Sequence, residues 1–126
     1  MALGYRKFRG VVTLQVDGDL TAGTTKARVR MPFAGTITGV TTAVATAPTG
    51  ASLQADVNKN GTTIFGTQAN RPMINASATS AVAGEHSVRT FAAGDLLSVD
   101  VDQVGSTVAG AGLTVAIAYD GVRNSA

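Results

Sequence analysis

The dipeptide Asn60-Gly61, set between two apolar, Thr-rich runs, most constrains what this chain can fold into. Both residues reach positive φ at little cost, which a two-residue type I′ turn requires. A hairpin closed there puts Lys59 opposite Thr62, Val57 opposite Ile64 and Ala55 opposite Gly66. Leu53, Val57 and Ile64 then share one face, with Asp56 and Phe65 on the other. The side-chain period of a strand is two, so the turn and the apolar pattern agree on a single register.

The same period recurs along the chain. Val12, Leu14 and Val16 alternate with Thr13, Gln15 and Asp17. Ala27, Val29 and Met31 alternate with Lys26, Arg28 and Arg30, and Leu97, Val99 and Val101 with Ser98, Asp100 and Asp102. Leu113, Val115, Ile117 and Tyr119 form one face, backed by small Thr114, Ala116 and Ala118. Repeated alternation of this kind predicts antiparallel strands with one buried face. In "GTITGVTTAV", Ile37 and Val40 fall out of step, and a bulge at Gly39 is expected to realign Ile37, Val40 and Val44. Turn signals at Asp17-Gly18-Asp19, Met31-Pro32, Pro48-Thr49-Gly50, Arg71-Pro72, Gly94-Asp95 and Gly105-Ser106 complete the rhythm of a β-sandwich or barrel. No window reads as a helix. The stretch from Gln68 to Ser87 reads as a long loop with a short strand near Met73-Ile74.

With 126 residues the chain is one domain, read as a basic N-terminal arm over 1–9 and a single sandwich domain over 10–126. There is no cysteine, which excludes disulfides and thiolate metal sites. "MALGYRKFRG" has no apolar segment after its basic residues, so it does not read as a secretory leader. The nearly apolar run between Val108 and Tyr119 is too short and too broken by Gly and Thr to span a bilayer.

The search for chemistry returns little. The sole histidine, His86, sits beside Glu85 and Ser87, but adjacent strand residues face opposite ways, and the bland reading is an exposed polar residue. Asp100 and Asp102 share a strand face, with Asp56 a neighbour across the sheet, and could touch one calcium ion. Calcium needs six to eight oxygen ligands, so a solvated strand face is the better reading. Asp17-Gly18-Asp19 reads first as a turn, and "AGAG" at 109–112 lacks the lysine and helix of a phosphate loop. No catalytic residue, cofactor site or metal site is assigned.

Net charge is only +2, yet basic residues cluster. Arg6, Lys7 and Arg9 are interleaved with Tyr5 and Phe8, and Lys26, Arg28 and Arg30 form a row. Nucleic-acid binding wants such rows beside stacking aromatics, and aromatics are 5% of the chain with Phe65, Tyr5 and Phe8 the outward candidates. These eight residues are therefore read as protein-contact candidates, not as a nucleic-acid or membrane site.

"PFAGTITGV", "APTGASLQADVNKNGTTIF", "RPMI", "RTFAAGDLLSVDVDQVGS" and "GLTVAIAY" together resemble small β-sandwich proteins encoded among the virion genes of tailed bacteriophages, over about residues 32–120. The Gly94-Asp95 turn entering an alternating strand also looks like the jelly rolls of the C1q and tumour-necrosis-factor kind. The resemblance implies an all-β antiparallel sandwich of jelly-roll type, about eight strands, with a short N-terminal arm. It implies structural attachment, usually as a homotrimer, and no catalytic residues. The expected role is a capsid decoration (cement) protein that binds the major capsid protein and its own neighbours. It would work in the virion after synthesis in the host cytoplasm. The alternative is a tail-fibre or baseplate head that binds a host surface glycan or protein through the loop from Gln68 to His86.

Overall fold

A computed structural model describes residues 5–124, with side chains described from 7 to 122. Its strands are β1 (Tyr5–Asp19), β2 (Gly23–Arg30), β3 (Ala34–Thr46), β4 (Leu53–Lys59), β5 (Thr62–Thr63), β6 (Met73–Ile74), β7 (Ser80–Val82), β8 (Thr90–Phe91), β9 (Leu96–Gln103) and β10 (Ala111–Asn124). The first sheet runs β1-β10-β3-β7, with β8 also on β3; the second runs β2-β9-β4-β5, with β6 also on β4. Every pairing is antiparallel. The chain crosses between sheets from β1 to β2, β2 to β3 and β3 to β4, which is the jelly-roll path. The strand count of ten exceeds the expected eight because β5 and β6 share one position on β4, as β7 and β8 do on β3.

The hairpin forms in the register its turn dictates as far as Val57 and Ile64, but Ala55 does not face Gly66: its amide donates to the Pro72 carbonyl at 3.0 Å. Asn60 (φ 51°) and Gly61 (φ 85°) are both left-handed. Lys59 pairs with Thr62, and the Ile64 amide donates to the Val57 carbonyl at 2.9 Å. The Asn60 side chain accepts from the Leu96 amide at 2.9 Å and donates to Asp95 at 3.0 Å, which ties the hairpin tip to the start of β9. Leu53, Val57 and Ile64 are all buried together. Phe65 departs from expectation: it is 1% exposed rather than outward. β5 ends at Thr63, whose hydroxyl accepts from the Phe65 amide at 3.1 Å, and this bend stops the alternation and turns Phe65 into the core.

The bulge falls where Gly39 indicated. Ala118 faces Gly39 while Tyr119 faces Ile37, so Thr38 is the extra residue. Ile37, Val40 and Val44 are thereby all buried. They pack with Leu14, Leu113, Val115 and Ile117 against Leu53, Val57, Leu97, Val99 and Val101 of the second sheet. Each such fully buried aliphatic contributes roughly 1.5–3 kcal/mol relative to exposure.

The segment read as an arm is strand from Tyr5 onward. Residues 5–9 continue β1 in register against Asp120–Asn124 of β10. The alternation explains this: Lys7 and Arg9 are exposed, whereas Phe8 turns inward to meet Phe33 edge-on at 5.3 Å and Tyr119 at 6.0 Å. Tyr119 in turn meets Phe91 at 5.5 Å, so four rings close this end of the sandwich. Gly10 makes room for them, since a Cβ there would lie 2.6 Å from Tyr119 Cζ.

Candidate interaction surface

The outward faces of the two sheets differ in kind. On the second sheet, Gln54, Asp56 and Asn58 of β4 and Ser98 of β9 point away from the core yet are buried. The segment after the hairpin folds over them: the Gln68 carbonyl accepts from Gln54 Nε2 at 3.4 Å, and Arg71 reaches back onto the carboxylates. On the first sheet, register aligns three rows of small, uncharged side chains. They are Val11–Ala118, Thr13–Ala116–Thr41–Val82 and Gln15–Thr114–Ala43–Ser80. Val11 is 62% exposed and Val82 77% exposed. An open depression of about 510 Å³ lies beside these rows, between Arg9, Val11, Thr38, Ala118 and Asp120.

The acidic face is solvated at Asp102 and partly so at Asp100, as expected, but Asp56 is buried. Asp56, Asp100 and Asp102 present oxygen atoms all within 4.8 Å of one another. Arg71 supplies the counter-charge, with Nη1 at 2.9 Å from Asp102 and Nε at 3.5 Å from Asp56. Asn58 donates to Asp100 at 2.7 Å, the Thr25 amide donates to Asp100 at 2.8 Å, and Thr63 donates to Asp56 at 2.6 Å. Burial pushes the Asp56 carboxyl up from its ordinary range, against the opposing pull of Thr63 and Arg71. The chain's own guanidinium thus sits where a cation would. Sequence reasoning placed the three carboxylates but missed Arg71, whose only signal was its place in the turn before Pro72.

His86 is also not where it was expected. It is buried, and its Nε2 donates to the Ile37 carbonyl at 2.8 Å. That carbonyl sits at the bulge, in the gap between β7 and β8 where β3 has no strand partner on the side away from β10. The Arg89 carbonyl accepts from the Ile37 amide and the Ala83 amide donates to the Val40 carbonyl in the same gap. His86 therefore satisfies buried backbone, and no nucleophile pairs with it among the described residues.

The protein-contact candidates do not gather into one patch. Lys7 and Arg9 project from the outer face of β1, and Phe8 is in the aromatic end cluster. Tyr5 and Arg6 begin β1, and their side chains lie outside the described residues. Arg28 and Arg30 are exposed on β2. Lys26 leaves their row: Thr25 has φ 50°, the register shifts before Ala27, and Lys26 Nζ donates to Thr21 at 2.8 Å. No aromatic among the described residues stands outward beside these cations.

No helix of the described residues is long and apolar enough to cross a membrane. No protein-family model matches the chain, and no curated protein matches it. In fold it is similar to a chain of the acidic stable capsid structure of Helicobacter pylori bacteriophage KHP30. That likeness has a TM-score of 0.53 at 10% sequence identity, and covers 98% of this chain and 99% of the other.

Proposed function

We propose that this chain is a non-enzymatic structural protein of a bacteriophage virion, and within that class a capsid decoration protein. It would bind capsomers of the major capsid protein and neighbouring copies of itself, assembled as homotrimers. The observation that carries the reading is the end-to-end fold likeness to a chain of a phage capsid structure. The unpartnered outer face of the first sheet supports it. Flat rows of Ala, Thr and Val suit close protein contact, and a stable contact needs on the order of 1,000 Å² in total. Lys7, Arg9, Arg28 and Arg30 would then meet acidic groups on the capsid, with Tyr5, Arg6, Phe8 and Lys26 as further contact candidates.

The test is to mix the purified chain with phage heads that lack it and measure occupancy by sedimentation. Saturable binding at a fixed number of copies per capsomer is the expected result. Absence of binding to heads, with binding to a host-surface glycan instead, would replace this reading by that of a fibre or baseplate head.

A further inference from the structure

β1 is an edge strand, and it is long. It pairs with β10 on one side only, over Tyr5–Asp19. Among the described residues, no backbone hydrogen bond from Lys7 to Val16 goes to anything but β10. Every second residue of that stretch therefore offers its N–H and C=O to the open side, a template for a further strand. Val12 and Val16, packed against the core, are left half-exposed along this edge.

The outward side chains of β1 carry a directional charge pattern. They run Lys7, Arg9, Val11, Thr13, Gln15, Asp17: basic at one end, neutral in the middle, acidic at the other. Such a strand is complementary to itself when reversed. An antiparallel partner centred on Thr13 sets Arg9 against Asp17, Val11 against Gln15 and Thr13 against Thr13. On the inner side, Val12 meets Leu14 and Gly10 meets Val16. A parallel partner would set Arg9 on Arg9. Moving the centre one residue toward the C-terminus would set Arg9 against Asp19 instead, wholly beyond the bulge that interrupts β1 after Val16. Opposite charges directly across an antiparallel pair stabilise, and like charges destabilise.

We propose that β1 pairs antiparallel with β1 of a second copy of this chain, about a two-fold axis at Thr13, to make one sheet continuous across both copies. Such a contact is isologous, so each Arg9–Asp17 pair forms twice. The Arg9–Asp17 pair is the last of the register, since Asp17 already lies within the bulge of β1 between Val16 and Asp19. This specifies one of the self-contacts in the reading above and would link trimers to one another. It is a property of the isolated chain, whereas attachment to heads is measured separately, so either can fail alone.

The chain has no cysteine, which makes the test direct. Antiparallel partners at a two-fold axis lie about 4.5–5.5 Å apart at Cα, within disulfide range. Under mild oxidation Thr13→Cys should give a covalent dimer, while Thr36→Cys, exposed on the same sheet but away from the edge, should not. In the Thr13→Cys background, Arg9→Asp or Asp17→Arg alone should slow cross-linking about 10- to 100-fold, and the two together should restore it. Melting curves confirm that each variant is folded. Equal cross-linking at the two cysteine positions, or a double reversal that does not recover, would overturn the proposal. If the double reversal restores pairing but not head binding, the basic residues also serve the capsid contact.

Discussion

Replacing Arg71 by Gln removes the cation that bridges Asp56 and Asp102. The size of the loss follows from burial. The Asp102 side chain is 24% exposed, so its pair with Arg71 contributes about 0–1 kcal/mol. The Asp56 side chain is 4% exposed, and stripping the partner from a buried charge costs about 3–5 kcal/mol. Arg71 is itself 19% exposed, and Thr63 still donates to Asp56, which reduces that figure. Arg71 pulls the Asp56 carboxyl down against its burial, so the variant's carboxyl titrates still higher. The expected net loss at pH 7 is therefore about 2–3 kcal/mol. A folded-state carboxyl raised above its unfolded value makes the native state the better proton binder. Its contribution is favourable at low pH and is lost as pH rises through the folded pKa. The deficit of the variant should accordingly shrink on acidification from pH 7 to pH 5. Urea unfolding of both proteins at both pH values measures this. A loss below about 0.5 kcal/mol at pH 7, or the same loss at both pH values, would refute the assignment of Arg71 as the counter-charge of a buried carboxylate.

Three further outcomes are expected. Gly61→Ala meets no atom within 4 Å but must hold φ near 85°, so it should cost about 1–2 kcal/mol in the left-handed region. Gly39→Ala, equally unobstructed and not at positive φ, should stay within about 0.5 kcal/mol; calorimetric Tm values compare the pair. His86→Ala leaves the Ile37 carbonyl without its donor and should cost about 1–3 kcal/mol, read from urea midpoints. Gly10→Ala drives a methyl group into the Tyr119 ring and should cost about 1–3 kcal/mol, with a change in the near-ultraviolet circular dichroism of the aromatic cluster.

What the sequence made legible was whatever the period of two controls. The register under Asn60-Gly61 could be read because a slip of one residue would have exposed Val57 and Ile64. The bulge could be read because Ile37 and Val40 cannot both be inside without it. What could not be read depends on contacts distant in the chain. Arg71 finds Asp102 across 31 positions, and His86 finds Ile37 across 49. Neither has a local pattern to announce it, so Asp56 was expected in solvent and His86 on the surface. Alternation carried past Thr63 puts Phe65 outward, and the bend of the chain at Thr63 turns it inward. At residues 5–9 the cluster of charges suggests an arm, whereas the alternation through Lys7, Phe8 and Arg9 is that of the strand that forms.

The first sheet has two unlike borders. Opposite β1, the border on β3 is shared by two fragments, Ser80–Val82 and Thr90–Phe91, with His86 wedged where they part. No neighbour could zip along so interrupted a margin. Growth by strand addition is thus available on one flank and closed on the other. A molecule built this way has a valency of one for that mode of joining: it can form couples but not threads. Even at high local concentration, single chains are guarded by this geometry against threading through this sheet.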